Sequence, residues 1–516
     1  MKAINRKDFL KLMGTGVALG VLGKLSPLES ATLAANGRTL INILLEGGPD
    51  FRHLFVPPPS SSTTSYGYKY WNNRTTSIGR GASSNDPTGW QTIYENAYEE
   101  MSLTDNSGNT ITFGVLKDNN GTDNANAWLR EKIKSGNVAI INNVYHSISR
   151  DHSHSLLILQ SGSYQTGIGQ AGIQGWGGAL ASAISGKVIS FTNQLRPFSN
   201  VSDKSKLLSF TNSRSFGLRQ PTFTNDRVSV SDAGLRALNS YYQALNTAGT
   251  VSSKVYDKFV QQQIKIQNLS TQIQSQLALP SGTSSSDLET IYPGLGSSFY
   301  TTDTNGQTGF KSRNFRSQIL NLYDAFQVSS LLEMRVASLN YGGWDSHKNQ
   351  LTDIEPQFND IFGTERGLYA LFNGQSSLFD DCVVTIGGEF GRQLKSNGDL
   401  GTDHGRGNTY LVIGGGVKGG IYGEMFPTRE STDDASGQSL YDRFNRDIQG
   451  RTAFHKIFGK VCDWVGSTVV TGENLGTTGN TVFDTSTNPL PTITDDSGNQ
   501  ISSNGWESDT SYDFFN

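Results

Sequence analysis

Seven histidines occur in this chain, and six of them follow an apolar, strand-like run and stand beside Gly, Asp or Ser. These are His53, His146, His152, His154, His347 and His404; only His455 falls in a helical pattern. Two carboxylate–imidazole pairs stand out. Asp345 and His347 lie in Trp344-Asp345-Ser346-His347, and Asp403 and His404 lie in Gly401-Thr402-Asp403-His404-Gly405. Asp50 closes Glu46-Gly47-Gly48-Pro49-Asp50 in the same manner. Imidazole and carboxylate together are ligands for borderline and hard divalent cations such as zinc and manganese. The adjoining glycines let backbone approach a small anion. Glu389 and Arg392, in Gly388-Glu389-Phe390-Gly391-Arg392, occupy a similar place, and an Arg there reads as a bidentate fork for phosphate or sulfate. A single Asp-Gly or Asp-His turn is more often a surface loop. The joint pattern at four strand ends points to a metal-dependent hydrolase or a remnant of one.

These residues need elements to position them. Residues 39–45 and 137–144 are continuous apolar runs, read as buried strands, and 334–340, 382–387 and 409–413 read the same way. Helical patterns cover about 153–161, 232–247, 254–279, 314–333, 355–373 and 450–465. Residues 57–127 and 393–408 read as loops. Strands alternating with helices predict an α/β domain with a mostly parallel sheet, in which ligands bind beyond the carboxyl ends of the strands. The unusual polar residues sit there. Cys382 falls in a strand and Cys462 in a helix. Both read as small core residues, with a bridge between them open if the protein is exported.

The chain has 516 residues with Lys+Arg 42 and Asp+Glu 46, a net charge of −4. No basic excess supports nucleic-acid binding. No apolar stretch is long enough for a transmembrane helix. Charged residues make up 17%, Gly numbers 58, and mean hydropathy is −0.40, so the polarity comes from neutral Ser, Thr, Asn and Gly. Residues 466–516 are rich in these types and read as a polar, loosely ordered extension. Tyr66, Tyr68, Tyr70 and Trp71 form an aromatic cluster for which a polysaccharide-binding role is a further reading.

Residues 5–11, Asn-Arg-Lys-Asp-Phe-Leu-Lys, precede a weakly apolar run and small residues near Ala31, Ala34 and Ala35. That is the pattern of an export signal over 1–35. It resembles a twin-arginine signal, with Asn5 and Lys7 replacing Ser and the second Arg. The expected partner is the twin-arginine export machinery and the expected location periplasmic, extracellular or cell-surface.

Taken in order, Gly47-Gly48-Pro49-Asp50, His146 to His152 with Gly175-Trp176, Trp344-Asp345-Ser346-His347, Gly388-Glu389-Phe390-Gly391-Arg392, Gly401-Thr402-Asp403-His404-Gly405 and Gly414-Gly415-Gly416-Val417-Lys418-Gly419-Gly420 resemble the exported domain-of-unknown-function 1501 family. The likeness is tightest over about 340–425 and looser over 38–180. Residues 185–335, helical in pattern, and the tail after 465 carry no matching motif. That family resembles the alkaline phosphatase-like and sulfatase-like superfamily. The resemblance implies a three-layer α/β sandwich over 36–465 and a two-metal phosphate- or sulfate-ester site, acting on a small-molecule or polymer ester. It implies Asp50, Asp345, His347, Asp403 and His404 as ligands to zinc, manganese, calcium or magnesium. Glu389, His146, His152 and His154 are additional candidates. Arg406 stands where the family usually has a His, so a third ligand is missing or comes from His152 or His154. The sulfatase nucleophile frame, Cys-x-Pro-Ser-Arg, has its nearest match in His146-Ser147-Ile148-Ser149-Arg150. Ser149 is the candidate nucleophile, or a helix N-cap, with Arg150 and Arg392 as catalytic partners. The alternative is a catalytically silent binding or surface-assembly protein on the same fold.

Overall fold

The computed structural model describes residues 37–119, 122–145, 149–164, 166–167, 173–211, 309–426, 450–466 and 512–516, with short pieces between 219 and 272. The chain divides into one unit of Thr32–Thr211 with Ser284–Asn516 and another of Met1–Ala31 with Asn212–Thr283. In the latter, Arg219–Pro221 pairs antiparallel with Arg227–Ser229. The export signal and nearly all of the helices expected at 232–247 and 254–279 lie outside the described residues.

The larger unit is built on a nine-stranded sheet. Its strands are β1 (Thr39–Glu46), β2 (Val138–Tyr145), β3 (Lys187–Ser190), β4 (Leu207–Ser209), β5 (Met334–Gly342), β6 (Cys382–Gly387), β7 (Asn408–Ile413), β8 (Gly420–Tyr422) and β9 (Thr452–Ala453). Their order is β8-β2-β7-β6-β1-β5-β3-β4, with β9 also paired to β2. Among the described residues of this sheet, only the two pairings of β7, with β6 and β2, are antiparallel. All eight residues of β2 are buried, which is why these strands read as unbroken apolar runs: both faces are covered.

Helices supply that cover: α1 (His152–Ser161), α2 (Trp176–Ala183), α3 (Arg313–Gln327), α4 (Gln350–Phe362) and α5 (Phe454–Gly466). Leu40, Leu44, Ile141 and Val336 share a core cluster with residues of α1, α2 and α5, including Ile158, Trp176 and Phe458. Tyr341 points to the opposite face from Val336, as strand alternation requires, and stacks on Phe315 of α3 at 4.7 Å. The result is a three-layer α/β arrangement around a mostly parallel mixed sheet.

Register brings the strand ends level. Glu46 of β1 pairs with Gly342 of β5, and Leu44 with Gly387 of β6. The turns holding Asp50, Asp345 and Glu389 therefore leave one edge side by side. Because β7 runs the other way, its start, just after His404, lies at that same edge.

Several expectations are corrected. Residues 57–127 include helices Tyr66–Asn73 and Pro87–Ala97 and the hairpin Tyr98–Thr104 with Thr110–Leu116. The polar sequence hides a buried aromatic cluster: Tyr70 and Trp71 are fully covered, and Trp71 Nε1 donates to Pro57 O at 2.9 Å. Those two rings cannot serve a polysaccharide. Residues 393–408 include the antiparallel pair Arg392–Ser396 and Thr402–His404. The helix expected over 355–373 breaks at Gly363, leaving α4 and Gly367–Phe372. The cysteines are free and buried. In the tail, Tyr512 and Phe514 are buried in the core cluster, and Phe515 stacks on Trp464 at 5.3 Å.

Candidate metal centre

Asp345, His347 and His404 meet at the sheet edge, joined by His152 from the first turn of α1. The α1 N-cap is Asp151, whose side chain accepts from His154 N at 2.9 Å, so the backbone of that turn is fixed. Beyond β5, the turn to Asp345 is shaped by Gly47 of the neighbouring strand. Gly47 has φ of +120°, and a Cβ there would lie 2.4 Å from Asp345 N. Gly48, φ +72°, leaves room for the ring of Phe390 in the same way.

Each of the three imidazoles has its Nδ1 on an acceptor. His152 Nδ1 meets Glu389 Oε1 at 2.6 Å, His404 Nδ1 meets Arg150 O at 3.0 Å, and His347 Nδ1 meets Asp403 Oδ1 at 3.1 Å. A carbonyl or ionised carboxylate only accepts, so each bond requires the proton on Nδ1. In the neutral rings every Nε2 then carries a lone pair, and all three face Asp345. His404 Nε2 lies 3.0 Å and His347 Nε2 3.2 Å from Asp345 Oδ1, with 3.0 Å between the two nitrogens. His152 Nε2 lies 3.7 Å from Asp345 Oδ2. Ligands at about 2.0–2.2 Å around a tetrahedral ion stand roughly 3.3 Å apart, so the spacing and donor set fit a divalent cation. His152, Asp345 and His404 can share one ion, with ligand atoms within 4.8 Å of one another.

Charge shapes the centre. Arg392 Nη2 donates to Asp345 Oδ1 at 2.7 Å. Partial burial works to raise the Asp345 pKa, but Arg392, by hydrogen bond and by charge, outweighs it and holds the carboxyl down at about 2. Glu389 raises the pKa of His152 through their hydrogen bond, whereas burial and then Arg392 lower that of His404. Asp403 is lowered despite its desolvation by Asn397 and His347. Phe390 backs the rings at 4.9 Å from His152 and 4.5 Å from His404.

The model of a family described as "Protein of unknown function (DUF1501)" matches residues 38–440. The chain belongs to the DUF1501 family. All four clustered residues fall inside the matched span. No curated protein matches the chain. A solved structure from Bacteroides thetaiotaomicron, described with the metabolism of multiple glycosaminoglycans, is 11% identical, with 85% of this chain and 76% of that chain covered and a TM-score of 0.28. A likeness that distant assigns no chemistry to this chain.

Other expected site residues of this DUF1501 chain lie elsewhere. Asp50 is fully buried and ion-paired with Arg74, whose Nη1 and Nη2 both reach it, and it accepts from Gln350 Nε2 at 2.7 Å. An ion at Asp50 would have to displace that guanidinium. As a ligand of the cluster Asp50 is therefore corrected: among the described residues it is a structural anion paired with Arg74. Arg392 is also corrected as an anion fork. It is buried, and its Nε, Nη1 and Nη2 donate to Gly48 O at 2.8 Å, Thr402 O at 2.9 Å and Trp344 O at 3.1 Å. Asp403 acts one bond away, on His347. Ser149 is half-buried; its Oγ accepts from Asp151 N at 3.1 Å, and the N-cap is Asp151 instead. Arg150 Nη1 donates to His404 O at 3.4 Å. Of His154, the backbone N–H joins the cap. His146 lies outside the described residues.

Residue spacing did not reveal Arg74, Gln350 or Asn397. Asn397 Nδ2 holds both His347 O at 2.9 Å and Asp403 Oδ1 at 3.2 Å. Its Ser396-Asn397-Gly398 setting is a turn signal that could have placed it. His53 is buried on Glu355, 2.7 Å away, with Arg80 bidentate on the same carboxylate.

Proposed function

We propose that this DUF1501 protein is an exported, divalent-metal hydrolase of phosphate or sulfate esters on an alkaline phosphatase-like or sulfatase-like fold. One observation carries the reading: three imidazole Nε2 lone pairs converge on the Asp345 carboxylate while their Nδ1 atoms are held by acceptors. Asp345, His404 and His152 would hold the ion, with His347 beside them. A His-rich donor set suits zinc or manganese better than magnesium or calcium, which favour all-oxygen shells. When bound, such an ion supplies Lewis-acid activation of an ester oxygen.

The chain's own residues do the rest. Glu389, Arg150 O and Asp403 fix ring orientation and tautomer, a role that such outer partners commonly have. Arg392 anchors Asp345 from below, and burial of its fork leaves Arg150 as the cation proposed to meet the substrate anion. Ser149, three residues before His152, is the proposed nucleophile. Export through the twin-arginine machinery would carry the protein out already folded. Hydrolysis of aryl phosphates and aryl sulfates by metal-loaded protein tests the reading. Turnover that disappears in Asp345→Ala supports it, and a fully loaded protein inert toward both classes rejects it.

The commitment of Arg392 to backbone carbonyls favours a second reading, a silent binding protein on the same fold. It predicts stoichiometric metal without turnover.

A further inference from the structure

A cavity lies beside β3 and β4. It holds about 350 Å³ and is walled by Leu157, Ile173, Leu195 and Leu207, with Arg196 and Lys204 supplying the charge. That volume is at the small end for organic ligands. Arg196 follows β3, whose parallel pairing with β5 puts its carboxyl end on the edge that also carries Asp345. Leu195 is 57% exposed, an unusual position for a large aliphatic side chain here.

The polar atoms are incompletely matched. Arg196 Nη2 donates to Glu46 Oε2 at 2.8 Å, while Arg196 Nε and Glu46 Oε1 are both buried without a partner. A buried, unpaired donor of a charged group is costly unless an acceptor arrives. Lys204 Nζ bonds Asn200 Oδ1. Two cations against the one carboxylate of Glu46 leave a single net positive charge. That charge suits one anionic head, and the aliphatic wall suits an apolar body.

We propose that this cavity binds a singly charged organic anion with an alkyl or aryl body, its head on Arg196 and its body along Leu157, Leu195 and Leu207. The inference does not depend on the metal reading. Calorimetric titration of the full chain with octyl sulfate, below its micelle-forming concentration, tests it, with octyl glucoside and inorganic sulfate as comparison probes. Octyl sulfate should bind once per chain, and Arg196→Gln should weaken it about tenfold or more, as loss of a charged hydrogen bond implies. Leu195→Ser, an exposed change that spares the fold, should weaken it too, while His404→Ala should leave it unchanged. Absence of binding, equal binding of octyl glucoside, full competition by inorganic sulfate, or loss of binding in His404→Ala would each overturn the proposal.

Discussion

At the scale of single residues, carboxylates that look alike in sequence have different tasks. Asp50 and Asp345 both follow strands and glycines, yet Asp50 neutralises buried Arg74 whereas Asp345 faces three imidazoles. Asp50→Asn should destabilise the fold by about 3–5 kcal/mol, the usual consequence of stranding a buried charge, while metal content stays unchanged. Urea midpoints and elemental analysis on the same variant check both halves. Burial alone would raise the Asp50 pKa; Arg74, by charge and hydrogen bond, lowers it below the ordinary carboxylate value. Its contribution is thus fully present above that ordinary value and is lost as pH falls through the depressed one. The variant should show a flatter acid limb of stability. Glu389→Gln is expected to act differently, weakening metal binding roughly 10–100-fold through His152, as metal titration with a competing chelator would read. His152 and Glu389 were visible as candidates, but their pairing across 237 residues was not.

At the scale of elements, the strands were the legible part. Runs such as 39–45 and 382–387 are apolar throughout because the sheet is covered on both faces, and β1 and β6 match them closely. Residues 57–127 were not legible. Their Ser, Thr and Asn content signals loop, while tertiary burial of Tyr70, Trp71 and Trp90 organises helices beneath it. Composition reports solvent preference averaged over a stretch, whereas a few large buried rings decide the packing. The site turns depend on backbone that only glycine provides. Gly47→Ala should cost about 1–3 kcal/mol in strain at its positive φ and push the Asp345 backbone away. A lowered urea midpoint together with weaker metal binding is the expected result; an unchanged metal affinity would show that this turn does not position Asp345.

At the scale of the whole molecule, the last residues belong to the core. Lys418 N donates to Phe514 O at 2.9 Å and Asn516 N to Gly416 O at 3.0 Å, so the chain end closes on the glycine-rich turn before β8. Deleting 512–516 exposes the sites of Tyr512 and Phe514 and should cost about 3–6 kcal/mol at roughly 1.5–3 kcal/mol per large apolar side chain, read as a drop in Tm. Level strand ends, set by sheet register, are what bring residues more than 190 positions apart into one cluster. The cluster of His152, Asp345, His347 and His404 is proposed to be a metal centre. Elemental analysis of the purified full chain, beside folded Asp345→Ala and His404→Ala variants, tests it most directly. About one divalent ion per chain is expected in the parent, with loss of that ion in both variants; a metal-free parent, or variants that keep the parent's metal content, would rule out a metal centre at this cluster.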